Sequence, residues 1–154
     1  MIDAPVVIQT SEQHVARVRL TVPREEIQKV MGPGIGDVMV ALAAQGVAAA
    51  GPWFTHHLRM DPKIFDFEIC VPVKSPIRAA GRVVPGMLRG ARVARTVYHG
   101  GYEGLGDAWG ELMAWIDDQH FTPAEDLWEI YAVGPESGPD PEQWRTELNR
   151  PLVG

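Results

Sequence analysis

The feature that most constrains this chain is a weak internal repeat, in which short patterns recur in the same order in both halves. A hydrophobic-Gly-Asp triplet, followed by a leucine five residues after its Asp, occurs at residues 35–37 and again at residues 105–107. A Glu-apolar-x-x-Pro pattern follows each triplet, at residues 68–72 and 147–151. A chance match of short patterns is the alternative, but order, element type and spacing all agree. We therefore predict a duplicated structural unit.

Hydrophobic periodicity gives each copy the same order of elements. Residues 14–22 alternate in the period of two that is typical of a strand, whereas residues 105, 108, 112 and 116 follow helical spacing. The glycine-rich segment 32–36 predicts an interruption before the first main helix. The predicted helices are residues 36–45 and 103–118, and the predicted strands are residues 6–9, 14–22, 51–60, 63–72, 79–84, 88–99, 127–133 and 144–152, with Pro85-Gly86 as a separator.

These elements predict an α+β fold. Two strand-helix-strand-strand copies related by a pseudo-twofold axis would form an antiparallel sheet of about eight strands, with two main helices on one face. We expect a central cleft where the copies meet, because ligands commonly bind in such grooves. The chain is predicted to be one domain over residues 1–154, with halves at about residues 1–75 and 79–154.

Composition narrows the class of protein. A net charge of −6 repels phosphate backbones, so direct nucleic-acid binding is not expected. No run of 18 apolar residues predicts a membrane span. The first residues lack the pattern of a secretory signal, so we expect a cytoplasmic protein. Nothing in the residues implies a cofactor.

Three glutamates are the candidate site carboxylates: Glu68, Glu129 and Glu147. Glu68 stands in the strongly apolar run of residues 64–71, and Glu147 occupies the equivalent place in the second copy. A carboxylate among apolar residues is costly to desolvate unless it is paired, protonated or facing a cleft. The functional interpretation is a ligand-facing acid, and the alternative is a solvent-facing residue of a one-sided sheet.

Aromatic residues offer the complementary chemistry, because flat faces beside a carboxylate suit a flat or cationic ligand. The chain has five tryptophans, and packing in the core is the alternative role for each aromatic side chain. The aromatic candidates for ligand contact are Trp53, Tyr102, Trp109 and Tyr131.

Other catalytic patterns are not found. None of the three serines lies in a Gly-x-Ser-x-Gly turn. His56 and His57 are adjacent, so on a strand they would point to opposite faces, and no histidine spacing suits a metal. The single cysteine, Cys70, is interpreted as a core residue.

Two segments resemble a known family. Residues 97–112, Val-Tyr-His-Gly-Gly-Tyr-Glu-Gly-Leu-Gly-Asp-Ala-Trp-Gly-Glu-Leu, resemble the strand-to-helix signature of the GyrI-like domain, also described as a SOUL or gyrase-inhibitor-like fold. The ending resembles it as well, through Trp128-Glu-Ile-Tyr131 and residues 141–152. The family includes the effector-binding domains of multidrug-responsive transcription activators of the AraC and MerR types.

The resemblance implies an eight-stranded pseudo-twofold fold with a central ligand pocket. It places Glu147 at the pocket floor, with Tyr102, Trp109, Glu129 and Tyr131 as further ligand contacts. Asn149 stands where many relatives carry an aromatic residue. Glu68 is the pseudo-symmetric partner of Glu147. Because no helix-turn-helix region accompanies the domain in these residues, we do not expect a complete transcription activator.

Two classes of function follow, and a third is kept as an alternative. We favour a stand-alone binding protein for amphipathic or cationic small molecules, acting as sensor, carrier or sequestering protein. The resemblance also allows a hydrolase of reactive cyclopropane-containing toxins, with Glu147 as acid/base and Tyr131 assisting. The alternative is interaction with a protein partner such as a regulator or DNA gyrase. The sequence allows a monomer or a homodimer.

Overall fold

A computed structural model describes residues 1–153 of the chain, with only the backbone described at Met60. The chain divides into two compact units. The first unit is Ser11–Gly90, and the second unit joins Met1–Thr10 to the chain from Ala91 onwards. The fold is α+β, and its nine strands pair in antiparallel fashion. In the described part of the chain, neither helix has the length and apolar character needed to cross a membrane.

The first unit contains one helix and four strands. They are β2 (Gln13–Pro23), α1 (Ile27–Ala44), β3 (Phe54–Met60), β4 (Ile64–Pro72) and β5 (Val84–Leu88). Within the unit the strands lie in the order β3-β4-β2-β5. Helix α1 packs on one side of this sheet because Val38, Ala41 and Leu42 are buried against alternate residues of β2 and β4, among them Val18 and Val71. We call this side the helix side of the unit, and the other side its open side.

The second unit repeats this arrangement. It contains β1 (Val6–Gln9), β6 (Arg92–His99), α2 (Leu105–Asp118), β7 (Thr122–Pro123), β8 (Leu127–Val133) and β9 (Arg145–Val153). The main strands lie in the order β1-β6-β9-β8, and β7 pairs with β9. Helix α2 buries Ala108, Leu112 and Ile116 against Ala94 and Leu148. These contacts define the helix side of the second unit.

The predicted repeat is present in the strand register. In the first unit Val15 lies opposite Pro72, and in the second unit Val93 lies opposite Pro151. Each valine begins the same tripeptide, Val-Ala-Arg, at residues 15–17 and 93–95. The hydrophobic-Gly-Asp triplets occupy the same helical face, since the residues five positions after each Asp, Leu42 and Leu112, are both buried. The duplicated strand-helix-strand-strand unit is therefore confirmed.

The first helix is longer than the sequence predicts. The glycine-rich segment 32–36 does not interrupt it, and α1 runs from Ile27 to Ala44 with Pro33 inside. Proline removes one helical hydrogen bond, but the segment gains a close packing contact. A Cβ on Gly34 would overlap the side chain of Ile69, which is fully buried in β4. Glycine thus lets the helix approach the sheet, and this tertiary contact outweighs the local tendency to break.

The strand around Pro85 also differs from the prediction. Pro85 and Gly86 do not separate two strands but lie inside β5, opposite Ala16 and Val15 of β2. Proline is tolerated in a strand that does not need every backbone donor. Gly86 leaves room for its neighbour, because a Cβ there would lie 2.6 Å from Nε of Arg17 and would require that side chain to shift.

Candidate functional site

The two sides of the second unit carry different chemistry. Glu129 and Tyr131 of β8 lie opposite Leu148 and Thr146 of β9, so they point to the helix side. Glu147 and Asn149 alternate with those residues and point to the open side. The structure therefore separates the candidate carboxylates Glu129 and Glu147, which share neighbouring strands but project from opposite sides.

On the open side, Glu147 has protein partners. Its Oε1 lies 3.1 Å from Nε of Arg95 and 3.3 Å from the amide nitrogen of Asn149. The same Arg95 nitrogen donates to Asn149 Oδ1 at 2.7 Å. About a quarter of the Glu147 side chain is exposed (24%). A cationic ligand at Glu147 would have to compete with a guanidinium that already neutralises the carboxylate.

On the helix side, an aromatic cluster accompanies Glu129. The rings of Tyr102 and Tyr131 meet edge to face with centroids 5.9 Å apart, and the ring of Trp144 lies 5.1 Å from that of Tyr102. Glu129 and Tyr131 are buried, with exposed fractions of 9% and 8%. Two of the three aromatics, Tyr102 and Tyr131, were predicted from the sequence, whereas Trp144 was assigned no role in the site.

Electrostatics link Tyr102 to this carboxylate. Burial raises the pKa of the Tyr102 phenol, and the negative charges of Glu136 and Glu129 raise it further. The phenol therefore stays protonated over the neutral range and keeps a hydrogen to donate. A carboxylate, a phenol and two further aromatic faces are thus held in one small region of the second unit.

The glycine-rich signature before α2 shapes this region. The Tyr98 hydroxyl donates a 2.8 Å hydrogen bond to the carbonyl of Gly101, and a Cβ on Gly104 would overlap that hydroxyl. Gly100 has a φ of +141°, a conformation that side chains other than glycine rarely adopt. The loop can therefore fold tightly over the buried Tyr98 ring. Tyr102 follows it, as the first residue of the turn before α2.

In the first unit, Glu68 is on the open side and is also paired. Its Oε2 lies 2.9 Å from an Arg17 nitrogen, and its Oε1 lies 3.3 Å from Nδ1 of His56. Glu68 and Arg17 line a concave surface on the open side, which encloses a volume of about 410 Å³. The lining residues are Val15, Arg17, Arg19, His56, Leu58, Glu68, Cys70, Val84, Met87 and Leu88. His57 points the other way, stacked on Phe67 with centroids 5.3 Å apart.

The remaining candidates pack around the two hydrophobic cores. Trp53 is partly buried against the core beneath α1, and Trp109 is partly buried against the core beneath α2. Cys70 is buried, and burial, reinforced by the charge of Glu68, raises the pKa of its thiol far above the ordinary value. A thiol in that state is a poor nucleophile, in keeping with its interpretation as a core residue.

The sequence contained a signal for the arginine partners that was not used. Arg17 and Arg95 both end the Val-Ala-Arg tripeptide. Glu68 lies opposite Arg19, two residues after Arg17, and Glu147 lies opposite Val97, two residues after Arg95. The repeated Glu-apolar-x-x-Pro pattern indicated glutamates at equivalent places. The tripeptide indicated that each would meet an arginine. No sequence period could show that Trp144 reaches Tyr102, because a loop of irregular structure precedes it.

Comparison with known proteins gives the chain its relatives. It resembles the C-terminal domain of EcmrR with a TM-score of 0.86 and 22% identity, over 97% of both chains. EcmrR in an EcmrR–DNA complex gives a TM-score of 0.84 and 23% identity over 97% of this chain, which spans 57% of the EcmrR chain. Among curated proteins, none has a matching sequence.

Two further structures share the fold. SAV2435, solved bound to tetraphenylphosphonium, matches with a TM-score of 0.72 and 13% identity, over 99% of this chain and 95% of that one. A hydrolase from Listeria innocua matches with a TM-score of 0.65 and 13% identity, over 97% of this chain and 91% of that one. At these identities the likenesses show the fold alone.

The family is shown by the sequence itself. The profile of the GyrI-like small molecule binding domain matches residues 4–152, which is nearly the whole chain. The match includes both copies of the repeat, the glycine-rich loop before α2 and the Trp-Glu-Ile-Tyr strand. The chain belongs to the GyrI-like small-molecule-binding domain family.

Proposed function

We propose that this protein binds hydrophobic organic cations, with Glu129 as the counter-charge and Tyr102, Tyr131 and Trp144 as the aromatic contacts. One observation carries the proposal: a carboxylate that is 9% exposed lies beside a cluster of three aromatic rings. Aromatic faces attract a cation through their quadrupole, and the attraction grows when water is excluded. A carboxylate in the same region adds the opposite charge.

Glu129 is better placed for this role than Glu147, the sequence-based first choice. Glu147 projects from the side of the sheet away from the aromatic cluster, where it contacts Arg95. Glu129 shares its side of β8 with Tyr131, and its negative charge acts on Tyr102. The prediction that Glu147 contacts ligand is kept as the competing assignment.

The likeness to SAV2435 supports the choice of ligand class. That protein was solved with tetraphenylphosphonium, a cation whose charge is surrounded by four phenyl rings. We carry over the ligand class to this chain because aromatic rings and a buried carboxylate, which suit such a cation, occur together in its second unit. A protein that binds such a cation without changing it chemically would act as a sensor, a carrier or a sequestering protein.

The test is a calorimetric titration of tetraphenylphosphonium into the wild type, Glu129→Gln and Glu147→Gln. Loss of a buried opposite charge should weaken binding at least about tenfold, or roughly 1.4 kcal/mol, in Glu129→Gln. The matched variant Glu147→Gln should bind as the wild type does. Equal affinity of the wild type and Glu129→Gln would refute the assignment, and a loss confined to Glu147→Gln would move the site to the open side.

The aromatic contribution has its own control. Trp144→Leu removes a ring of the cluster and should weaken tetraphenylphosphonium by about 0.5–2 kcal/mol. Trp115→Leu is the comparison, since Trp115 lies 6.1 Å from Phe121 at the edge of the core beneath α2. If both variants lose affinity equally, the effect is one of general stability rather than ring contact.

A hydrolase is the second candidate, and one observation favours it. The raised pKa of Tyr102 leaves a protonated phenol near the charge of Glu129, which is a donor and an acceptor suited to directing water onto an electrophile. The likeness to the Listeria hydrolase adds the precedent on the same fold. Product analysis after incubation with a cyclopropane-containing electrophile decides between the two, since a binding protein returns the compound unchanged.

A further inference from the structure

The concave surface on the open side of the first unit is a second candidate binding site, separate from Glu129 and its aromatic cluster. Its volume of about 410 Å³ falls within the range of small-molecule pockets, roughly 300–1,000 Å³. Every lining residue belongs to β2, β3, β4 or β5 of one unit, so the site is complete within it. We infer that this surface binds a singly charged organic anion, a carboxylate on a hydrophobic body.

The charges that face solvent in this surface are positive. The side chains of Glu68 and Asp66 are each only 9% exposed, whereas those of Arg17 and Arg19 are 35% and 62% exposed. The Glu68 carboxylate therefore lies at the floor, already bound by the Arg17 guanidinium at 2.9 Å, and the more exposed Arg19 pairs at 3.2 Å with Asp66, which lies outside the lining. An entering molecule meets guanidinium groups first, and a cation would have to displace Arg17 from Glu68.

The Arg17 guanidinium lies against the backbone of β5. Its Nε, Cδ and Cζ atoms lie over Gly86 of β5, where a Cβ would come within 2.6–2.8 Å of them. One guanidinium nitrogen is bound to Glu68, and a planar guanidinium has further N–H donors that suit a second carboxylate. Arg17 thus bridges a buried anion of the protein and an anion from solution.

Apolar residues form the other part of the surface. Val84 and Met87 of β5 are exposed large hydrophobic residues, with exposed fractions of 36% and 42%. The other apolar residues of the lining are Val15, Leu58, Cys70 and Leu88. Exposed apolar side chains next to fixed donors suit a molecule with a hydrophobic body and a polar head. A single head charge matches Arg17, because Arg19, the other guanidinium of the lining, is 62% exposed and pairs with Asp66.

The probe for the test is decanoate, with decyltrimethylammonium as the cation of matched chain length. Calorimetry should show decanoate binding to the wild type and at least about a tenfold loss in Arg17→Gln, because a charge-assisted pair is removed. Arg17→Lys keeps the charge but loses the planar fork, so its loss should be smaller. Failure of decanoate to bind, or tighter binding of the decyl cation at this site, overturns the inference.

The second unit supplies the matched control. Arg95 holds the position equivalent to Arg17 and pairs with Glu147 at 3.1 Å, so Arg95→Gln should leave decanoate affinity unchanged. Met87→Gln should weaken decanoate through loss of an apolar contact while leaving the Arg17–Glu68 pair intact. Methyl signals of Val84 and Leu88 should shift on titration of decanoate. Equal losses in Arg17→Gln and Arg95→Gln, or unmoved methyl signals, would show that decanoate binds elsewhere.

Independence from the first site is tested in the same samples. Saturation with tetraphenylphosphonium should leave decanoate affinity within about twofold, and Glu129→Gln should bind decanoate like the wild type. Simple competition between the two probes would show a single shared site and overturn the inference. Failure of tetraphenylphosphonium to bind would instead count against the proposed function alone.

Discussion

The two units use one strand-helix-strand-strand plan and put different chemistry on it. On the open side they are alike, because Arg17–Glu68 and Arg95–Glu147 are equivalent ion pairs at 2.9 and 3.1 Å. On the helix side they differ. β8 pairs with β9 in the same register as β3 pairs with β4. In this register Glu129 and Tyr131 of β8 are equivalent to Thr55 and His57 of β3.

This difference shows how a duplicated scaffold acquires a site. In the first unit Thr55 and His57 are buried, 1% and 5% exposed, and His57 stacks on Phe67. These side chains therefore pack in the interior on the helix side. The second unit has Tyr102 just before its helix. When the two hydrophobic-Gly-Asp triplets are aligned, the equivalent residue of the first unit is Gly32. At a few equivalent positions the second unit therefore carries aromatic and carboxylate side chains where the first carries packing residues, in the same strand register.

The largest expected difference is in how much each of the two equivalent ion pairs contributes to the free energy of unfolding. Glu68 is 9% exposed and also contacts His56, whereas Glu147 is 24% exposed. Glu68→Gln should lower the free energy of unfolding by about 2 kcal/mol, because the partners of a buried carboxylate are left poorly satisfied. Glu147→Gln should cost below about 1 kcal/mol. Denaturant unfolding measures both, and equal costs would contradict the ranking by burial.

A double-mutant cycle sharpens that result. Combining each glutamate variant with Arg17→Met or Arg95→Met isolates the coupling within each pair. The Arg17–Glu68 coupling should exceed the Arg95–Glu147 coupling, since screening by water is weaker at the more buried pair. A larger coupling in the second unit would mean that exposure does not set the strength of these pairs.

The helical glycines should respond differently to alanine, depending on whether they contact the sheet. Gly34→Ala places a methyl group against the buried Ile69 side chain and should destabilise the protein by about 1–2 kcal/mol. Gly36→Ala in the same helix, and Gly110→Ala in α2, meet no atom within 4 Å and should stabilise it by about 0.5–1 kcal/mol. Thermal unfolding tests this, and a stabilising Gly34→Ala would show that α1 can move away from β4.

The smallest expected effect lies in the titration of Tyr102. Its pKa is raised by burial first and then by Glu136 and Glu129, so Glu129→Gln should lower the phenol pKa. The sign follows because a nearby negative charge disfavours the phenolate. Ultraviolet difference titration of the wild type and variant, with Tyr102→Phe identifying the signal, measures it. A rise in the pKa would place Glu129 away from Tyr102.

Local signals in the sequence were sufficient to predict the fold class, the repeat and the family. The α+β class and the repeat followed from period-two strands, helical spacing and recurring motifs, which are local signals. The family followed from the resemblance of residues 97–112 and of the ending of the chain to the GyrI-like signature. The prediction was wrong at α1 and at β5. Pro33 and Pro85 are local breakers, but the contact of Gly34 with Ile69 and the pairing of Pro85 with Ala16 involve residues distant in the chain.

The site divides in the same way. Sequence alone named Glu68, Glu129, Glu147, Tyr102 and Tyr131, because carboxylates and aromatics in strands stand out whatever the fold. Only the tertiary structure decided which side of the sheet each one occupies and which partner it meets. Strand register determines both, and it is fixed by pairing between segments far apart in the chain. It put Glu147 against Arg95 and left Glu129 with the aromatic cluster.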